Sequence, residues 1–390
     1  MSEHQVSRFA RPQSPLYIVV LAIVFVFSLM LAYVGLRPIN HLDWVTTAQF
    51  LRYQTQLESP YSEDLSMDPD LALYHDDYVF LPYAPWTVFY FGVLAYATTR
   101  LIVALMVAAW IVIIIDSGKP LALILILHPL FILSWASGNL DFLVSGVGLW
   151  LIIRGVRGWR LGMSIMLIAV KPQVLPLLFL LEGVRILWER DWEALATVVV
   201  IFAVSNTLFP GWLAWMADKL PQYFDMVRGT KEQIEVSFAG GKYPFSVFGA
   251  WGFLPAVGVS LLILLLMLRR WTEWRTLAVL LGLVWTPYIN PYSYAVLLVL
   301  LRKSSWWHVL IYLAIGIASL PVLFAEWHSL ERYGLLLFLL LVPILTPPDR
   351  EQFEEQIAAR HRTRTLPLVG KFKTWQAQIL VLLPLSGKER

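Results

Sequence analysis

The chain has 390 residues, of which 58% are hydrophobic and only 15% charged, with a mean hydropathy of +0.65. A soluble domain is nearer a quarter charged, so this surface cannot be coated for water, and a soluble enzyme, a disordered chain and a nucleic-acid binder are all excluded. The net charge of +3 supplies no basic domain for a phosphate backbone, and zero cysteines exclude disulfides, thiolate metal sites and cysteine catalysis.

In chain order, Arg8 and Arg11 precede a first apolar run from Leu16 to Leu36. It exceeds a usual signal-peptide core and lacks an Ala-x-Ala site, so it reads as a retained span with a cytoplasmic N-terminus. Residues 37–83 form a polar loop with eight acids against Arg37 and Arg52, which suits the extracytoplasmic side. Apolar runs follow near 84–97, 101–116, 121–136, 139–153, 161–171, 174–187, 193–209, 246–268, 276–289, 293–302, 306–324 and 332–346. Several are too short for a straight span, which needs about 20 residues. Arg154/Arg157/Arg160, Arg185/Arg190, Arg269/Arg270/Arg275 and Arg302/Lys303 mark cytoplasmic connectors by the excess of positive charge expected there.

The expected fold is therefore all-α, a polytopic membrane bundle of 12–13 spanning or half-spanning helices. Thirteen runs conflict with two cytoplasmic termini, so 84–97 is read as re-entrant or as fused with 101–116. The expected domains are a cytoplasmic segment 1–15, a membrane domain 16–346 with outer loops 37–83 and 210–245, and an amphipathic cytoplasmic tail 347–390. The chain is placed in the plasma (inner) membrane.

Polar residues just beyond span ends are the informative ones, and they cluster on the inferred outer face. Asp43 begins a segment in which Trp44, Ala48, Leu51 and Tyr53 share one helical face. It reads either as the cap of a helix lying on the membrane or as a functional acid. Tyr78 to Trp86 is an aromatic–proline run that reads first as an interface anchor. In Gly138-Asn139-Leu140-Asp141, Asn139 reads as a helix cap and Asp141 as a first-turn acid, unless the acid faces a wet cavity. Lys171, in Lys171-Pro172-Gln173, sits between apolar runs and either snorkels outward or meets a phosphate as a point charge. The loop 211–245 carries Arg228 and Lys242, the latter beside two glycines. The prolines of Thr286–Tyr294 break a helix at the outer face, where irregular backbone survives only in a protein-lined or watery cavity.

The order of these elements resembles the GT-C superfamily of integral-membrane glycosyltransferases, most of all the branch around glycosyltransferase family 87, the polyprenyl-phosphate-mannose type. The residues that carry the resemblance are Asp43 with Ala48 and Pro60-Tyr61, then Tyr83-Ala84-Pro85. After them come His128-Pro129 with Gly138-Asn139-Leu140-Asp141, Lys171-Pro172-Gln173, and Pro291-Tyr292-Ser293-Tyr294. The resemblance implies transfer of a mannose-like hexose from a polyprenyl-phosphate sugar to a lipid or glycan hydroxyl, with inversion, on the extracytoplasmic face. It implies Asp43 as general base, with Lys171, Lys242 and Arg228 on the donor phosphate. Asn139, Asp141, Tyr83 and Tyr292 would hold sugar or acceptor. The chain lacks the His that often follows the last motif. It also lacks an Asp-x-Asp directly after the first span, Asp68-Pro69-Asp70 coming much later, which favours a single carboxylate and no cofactor, with a divalent metal as the open alternative. The partners implied are the lipid donor, the acceptor and membrane lipids. Two rival readings are a transporter or flippase, which predicts ionisable residues deep in spans, and a non-catalytic relative that only binds lipid-linked glycan.

Overall fold

The structure, a computed structural model, describes residues 15–36, 42–57, 84–172, 174–214, 216–217, 253–267, 274–285, 291–304 and 306–318. The chain divides into a body, Phe9–Thr346, and a second unit of Met1–Arg8 with Pro347–Arg390. That second unit, which includes the expected tail, lies outside the described residues, as do 58–83 and 218–252.

Every regular element among the described residues is helical, as the all-α reading of the apolar runs expects. Helix α1 is Pro15–Gly35 and α2 is Leu42–Thr55. Short α3 (Thr87–Phe91) runs into a tight turn, 92–94, before α4 (Thr99–Ser117). Then come α5 (Pro129–Ser137), α6 (Val147–Ile153), α7 (Trp159–Ile168), α8 (Pro176–Glu189) and α9 (Trp192–Leu208). The series ends with α10 (Phe253–Met267), α11 (Trp274–Trp285), α12 (Leu297–Leu300) and α13 (Trp306–Ala318).

Two helices among the described residues, α1 and α4, are long and apolar enough to cross a bilayer. Of the other expected runs, those among the described residues are shorter or broken, and 332–346 lies outside the described residues. The run 121–136 is a 3₁₀ stretch, Pro120–Leu127, followed by α5. The break falls at His128-Pro129, because proline at the first helical position starts a new helix and holds the residue before it extended. His128 takes that extended conformation, and its Nδ1 accepts the Leu130 N–H, capping α5. The ring lies against Gly316 of α13, where a Cβ would stand 2.8 Å from His128 Cδ2 and closer still to Nε2. Gly316→Ala is therefore expected to cost about 1–3 kcal/mol by overpacking. Gly183→Ala, at a helical position with nothing within 4 Å, is expected to leave stability unchanged or raised. Thermal unfolding of the two purified variants checks the contrast.

The segment 84–98 is held by α2 at both ends. Gln54 Nε2 donates to the Pro85 carbonyl (2.8 Å), Arg52 Nε to Ala95 (3.0 Å) and Trp44 Nε1 to Ala97 (2.7 Å). Between those anchors the segment reaches α7: Trp86 Nε1 donates to Met166 O (2.9 Å) and Tyr90 Oη to Met163 O (2.8 Å). It thus leaves α2 and comes back to it.

Polar contacts tie the bundle at two ends. Arg100, at the start of α4, donates to the last carbonyls of α1, Val34 O (2.7 Å) and Leu36 O (3.1 Å). This satisfies groups that a helix end leaves orphaned. Sixteen residues on, about 24 Å along α4, Asp116 pairs with Arg154 (3.2 Å) and accepts from Trp150 Nε1 (2.9 Å). Ser117 Oγ there donates to Arg302 O (2.9 Å). On α8, the buried Glu182 is clamped by Arg185 and by Arg275 of α11, both at 2.6 Å. Of the basic residues read as cytoplasmic connectors, Arg154 thus pairs with an acid of α4, and Arg185 and Arg275 with one of α8.

Candidate active site

At the end where α1 finishes and α4 begins, four chain segments converge. α5 terminates at Gly138, whose left-handed φ of +67° lets its N–H return to the Ser134 and Trp135 carbonyls. Asn139 follows, and its Oδ1 accepts the N–H of Asp141 at 2.8 Å. The cap reading of Asn139 is therefore correct, and Asp141 sits in the first turn of the next helix, as that reading expected. The segment Phe142–Gly146 is a π-helix before α6 begins. Such single-turn expansions appear often at functional sites, and here one starts directly after the acid. Beneath it Phe142, Phe131 and Trp110 form a ring cluster with centroids 5.0 to 6.0 Å apart. This gives the polar layer a rigid apolar floor.

Both oxygens of Asp141 are engaged. Lys171 Nζ lies 2.5 Å from Oδ1, and Ser293 Oγ donates to Oδ2. Lys171 Nζ also approaches Asn139 Oδ1 at 3.5 Å. Lys171 is held in the tight turn between α7 and α8, where its N–H bonds Ile168 O and its carbonyl accepts from Val174. Ser293 lies on the short helical stretch Pro291–Val296 that leads into α12. Asp141 is 3% exposed by side chain and Lys171 17%, so the ammonium stands in front of the carboxylate. The lysine does not snorkel away: it is paired with an acid 30 residues upstream.

Asp43 is the second residue of α2, inside its first turn rather than before it. Its side chain lies outside the described residues, but its neighbours fix where it stands. Trp44, Thr47, Ala48, Leu51 and Gln54 are buried, so this face of α2 is docked into the body. A Cβ built on Gly138 would meet Trp44 Cβ at 3.2 Å and Thr99 Cγ2 at 2.6 Å. The helix carrying Asp43 is thus pressed against the turn that carries Asn139 and Asp141, with only a glycine between them.

Of the residues singled out in the sequence, the structure brings together Asn139, Asp141 and Lys171, and sets the start of α2 beside them. Tyr83, Arg228 and Lys242 lie outside the described residues, as does the Tyr292 side chain. Ser293 was quoted as part of a motif, not as a site residue; the signal for it was a hydroxyl two residues after a helix-breaking proline. Among the described residues no three His, Asp or Glu side chains converge as a metal site would need.

Gly138→Ala is expected to force a methyl between Thr99 and Trp44 at a left-handed position. Displacing α2 by about an ångström is worth up to about a hundredfold in rate. The check is turnover alongside a melting curve, with kcat falling further than stability accounts for.

The arrangement offers a carboxylate-bearing helix start, a second carboxylate held by an ammonium, an amide and a hydroxyl. That set suits a ligand rich in hydroxyls and carrying one anionic group. No curated protein and no solved structure matches the chain. The family model of glycosyltransferase family 87 matches residues 78–285, just over half of the sequence and including Asn139, Asp141 and Lys171. The chain belongs to glycosyltransferase family 87, a family of membrane glycosyltransferases.

Proposed function

We propose that this glycosyltransferase moves a mannose-like hexose from a polyprenyl-phosphate donor to a lipid or glycan hydroxyl on the extracytoplasmic face of the inner membrane. The observation that carries the reading is the Asn139–Asp141–Lys171–Ser293 cluster packed against the start of α2, where Asp43 stands. In this mechanism Asp43 takes the proton of the acceptor hydroxyl, and the acceptor oxygen attacks the anomeric carbon. The bond from that carbon to the phosphate oxygen breaks, and its electron pair leaves on the phosphate. A phosphate leaving group needs no protonation, so one base suffices where glycoside hydrolysis uses two carboxylates. It does need positive charge, which Lys171 supplies, with Arg228 and Lys242 of the outer loop as further candidates. Asn139 and Asp141 take sugar hydroxyls, and Tyr83 and Tyr292 shape the sugar and acceptor side. No cofactor or metal enters the scheme.

The outer placement is supported by charge. Arg154, Arg185, Arg275 and Arg302 belong to the ends read as cytoplasmic by the positive-inside rule, and α4 carries the chain from Thr99 beside Gly138 to Asp116 beside Arg154. The transporter reading is disfavoured because the ionisable residues of this cluster lie at helix ends rather than in mid-helix.

Product stereochemistry tests the mechanism. A donor of known anomeric configuration is turned over and the product examined by NMR. An inverted linkage is expected, and a retained linkage overturns Asp43 as the base of a single displacement.

A further inference from the structure

The cation proposed to hold the donor phosphate is already neutralised. Lys171 Nζ sits 2.5 Å from Asp141 Oδ1, while Ser293 occupies the other oxygen and Asn139 fixes the backbone beneath. The pair is neutral, so Lys171 has no positive charge to spare. A phosphate can reach Lys171, the more exposed partner, only by sharing it with a carboxylate or taking it away. A buried carboxylate stripped of its counter-ion is strongly unfavourable, so the exchange requires something else to satisfy Asp141.

A hexose joined through its anomeric carbon to a phosphate brings both parts at once. The phosphate oxygen and the 2-hydroxyl hang on adjacent carbons, a spacing that matches an ammonium and a carboxylate in direct contact. The leaving polyprenyl monophosphate brings only the anion, and carries close to two negative charges where the donor diester carries one. An unpaired lysine would therefore prefer the product to the donor. A lysine held by a carboxylate does not, because the doubly charged product meets Asp141 with no hydroxyl to offer it.

We infer that the Asp141–Lys171 pair is a selectivity lock for the donor. It opens when a sugar 2-hydroxyl replaces the ammonium on Asp141 as the phosphate takes Lys171, and it closes again on the polyprenyl monophosphate, expelling it. The inference rests on the polyprenyl-phosphate reading above and deepens it: it names the hydroxyl that is read and the step that clears the site.

The test is equilibrium binding to the full chain in nanodiscs, with three probes: farnesyl phosphoryl mannose, its 2-deoxy analogue, and farnesyl monophosphate. The wild type is expected to bind the first at least tenfold tighter than the other two. Asp141→Asn, which keeps the size of the side chain and an oxygen for Ser293, removes the carboxylate that neutralises Lys171. Monophosphate affinity is then expected to rise at least tenfold, to equal or exceed that of the donor, while transfer falls. The lock is overturned if the wild type binds monophosphate or the 2-deoxy analogue as tightly as the donor, a result that does not depend on any variant folding. It is equally overturned if folded Asp141→Asn gains no affinity for monophosphate. If the wild type transfers sugar from the donor but fails these comparisons, the lock alone falls. If it binds none of the three probes, the donor class falls with it.

Discussion

Asp43→Asn is expected to lower transfer by about a hundred- to ten-thousandfold, the range a positioned general base contributes. Donor affinity and the melting curve should stay near wild type. The reason lies in how α2 is fastened. Its anchors are Trp44 to Ala97, Arg52 to Ala95 and Gln54 to Pro85, together with the buried faces of Ala48 and Leu51. None of these involves the Asp43 carboxylate. An amide of the same size at the second helical position loses the favourable interaction of an acid with the helix N-terminus, about 0.3–1 kcal/mol. Single-turnover kinetics together with calorimetry separate the two effects. A parallel loss of folding would make Asp43 a structural residue and move the base to Asp141.

Lys171→Met is expected to be the most damaging single change to stability. It leaves Asp141 buried with no counter-ion, and breaking a buried pair from one side costs about 3–5 kcal/mol. That is a large share of the 5–15 kcal/mol by which a folded domain is ordinarily stable. Adding Asp141→Asn to Lys171→Met should recover most of the loss, because the stranded charge is then gone. The two changes should couple strongly in a double-mutant cycle. Transfer should stay absent in the double variant, since the leaving phosphate has lost its cation. Melting temperatures of the two single variants and the double variant check the coupling, and additive losses would contradict the pairing.

Much of the site was legible in the residues, for a physical reason. An acid or a lysine at the mouth of an apolar run is costly unless something nearby satisfies it, so Asp141 and Lys171 announced themselves singly. That they satisfy each other was not legible, because the contact spans 30 residues and depends on where the α7–α8 turn lies. Ser293 was further out of reach, 152 residues from its partner. The π-helix after Asp141 has no sequence signature of its own. Trp44 was read as a membrane-facing residue from helical spacing, yet it is buried against Gly138 and Ala97: periodicity identifies an apolar face without saying whether lipid or protein covers it. The break at His128 was available in Pro129, while the hydrophobic run across it read as one helix. The three side-chain bonds that fasten the run 84–97 to α2 were not legible either, because no pattern in the run itself encodes them.

The central claim is that this family 87 chain draws its sugar from a polyprenyl phosphate. The direct measurement is transfer by the wild-type chain in nanodiscs. Radiolabelled polyprenyl-phosphate sugars and nucleotide sugars are offered in parallel, with total membrane lipid as acceptor. Label passing into the acceptor from a polyprenyl-phosphate sugar, and from no nucleotide sugar, is the predicted result. Transfer from a nucleotide sugar would contradict it, as would a lipid-linked sugar carried across a sealed vesicle membrane with its phosphate bond intact.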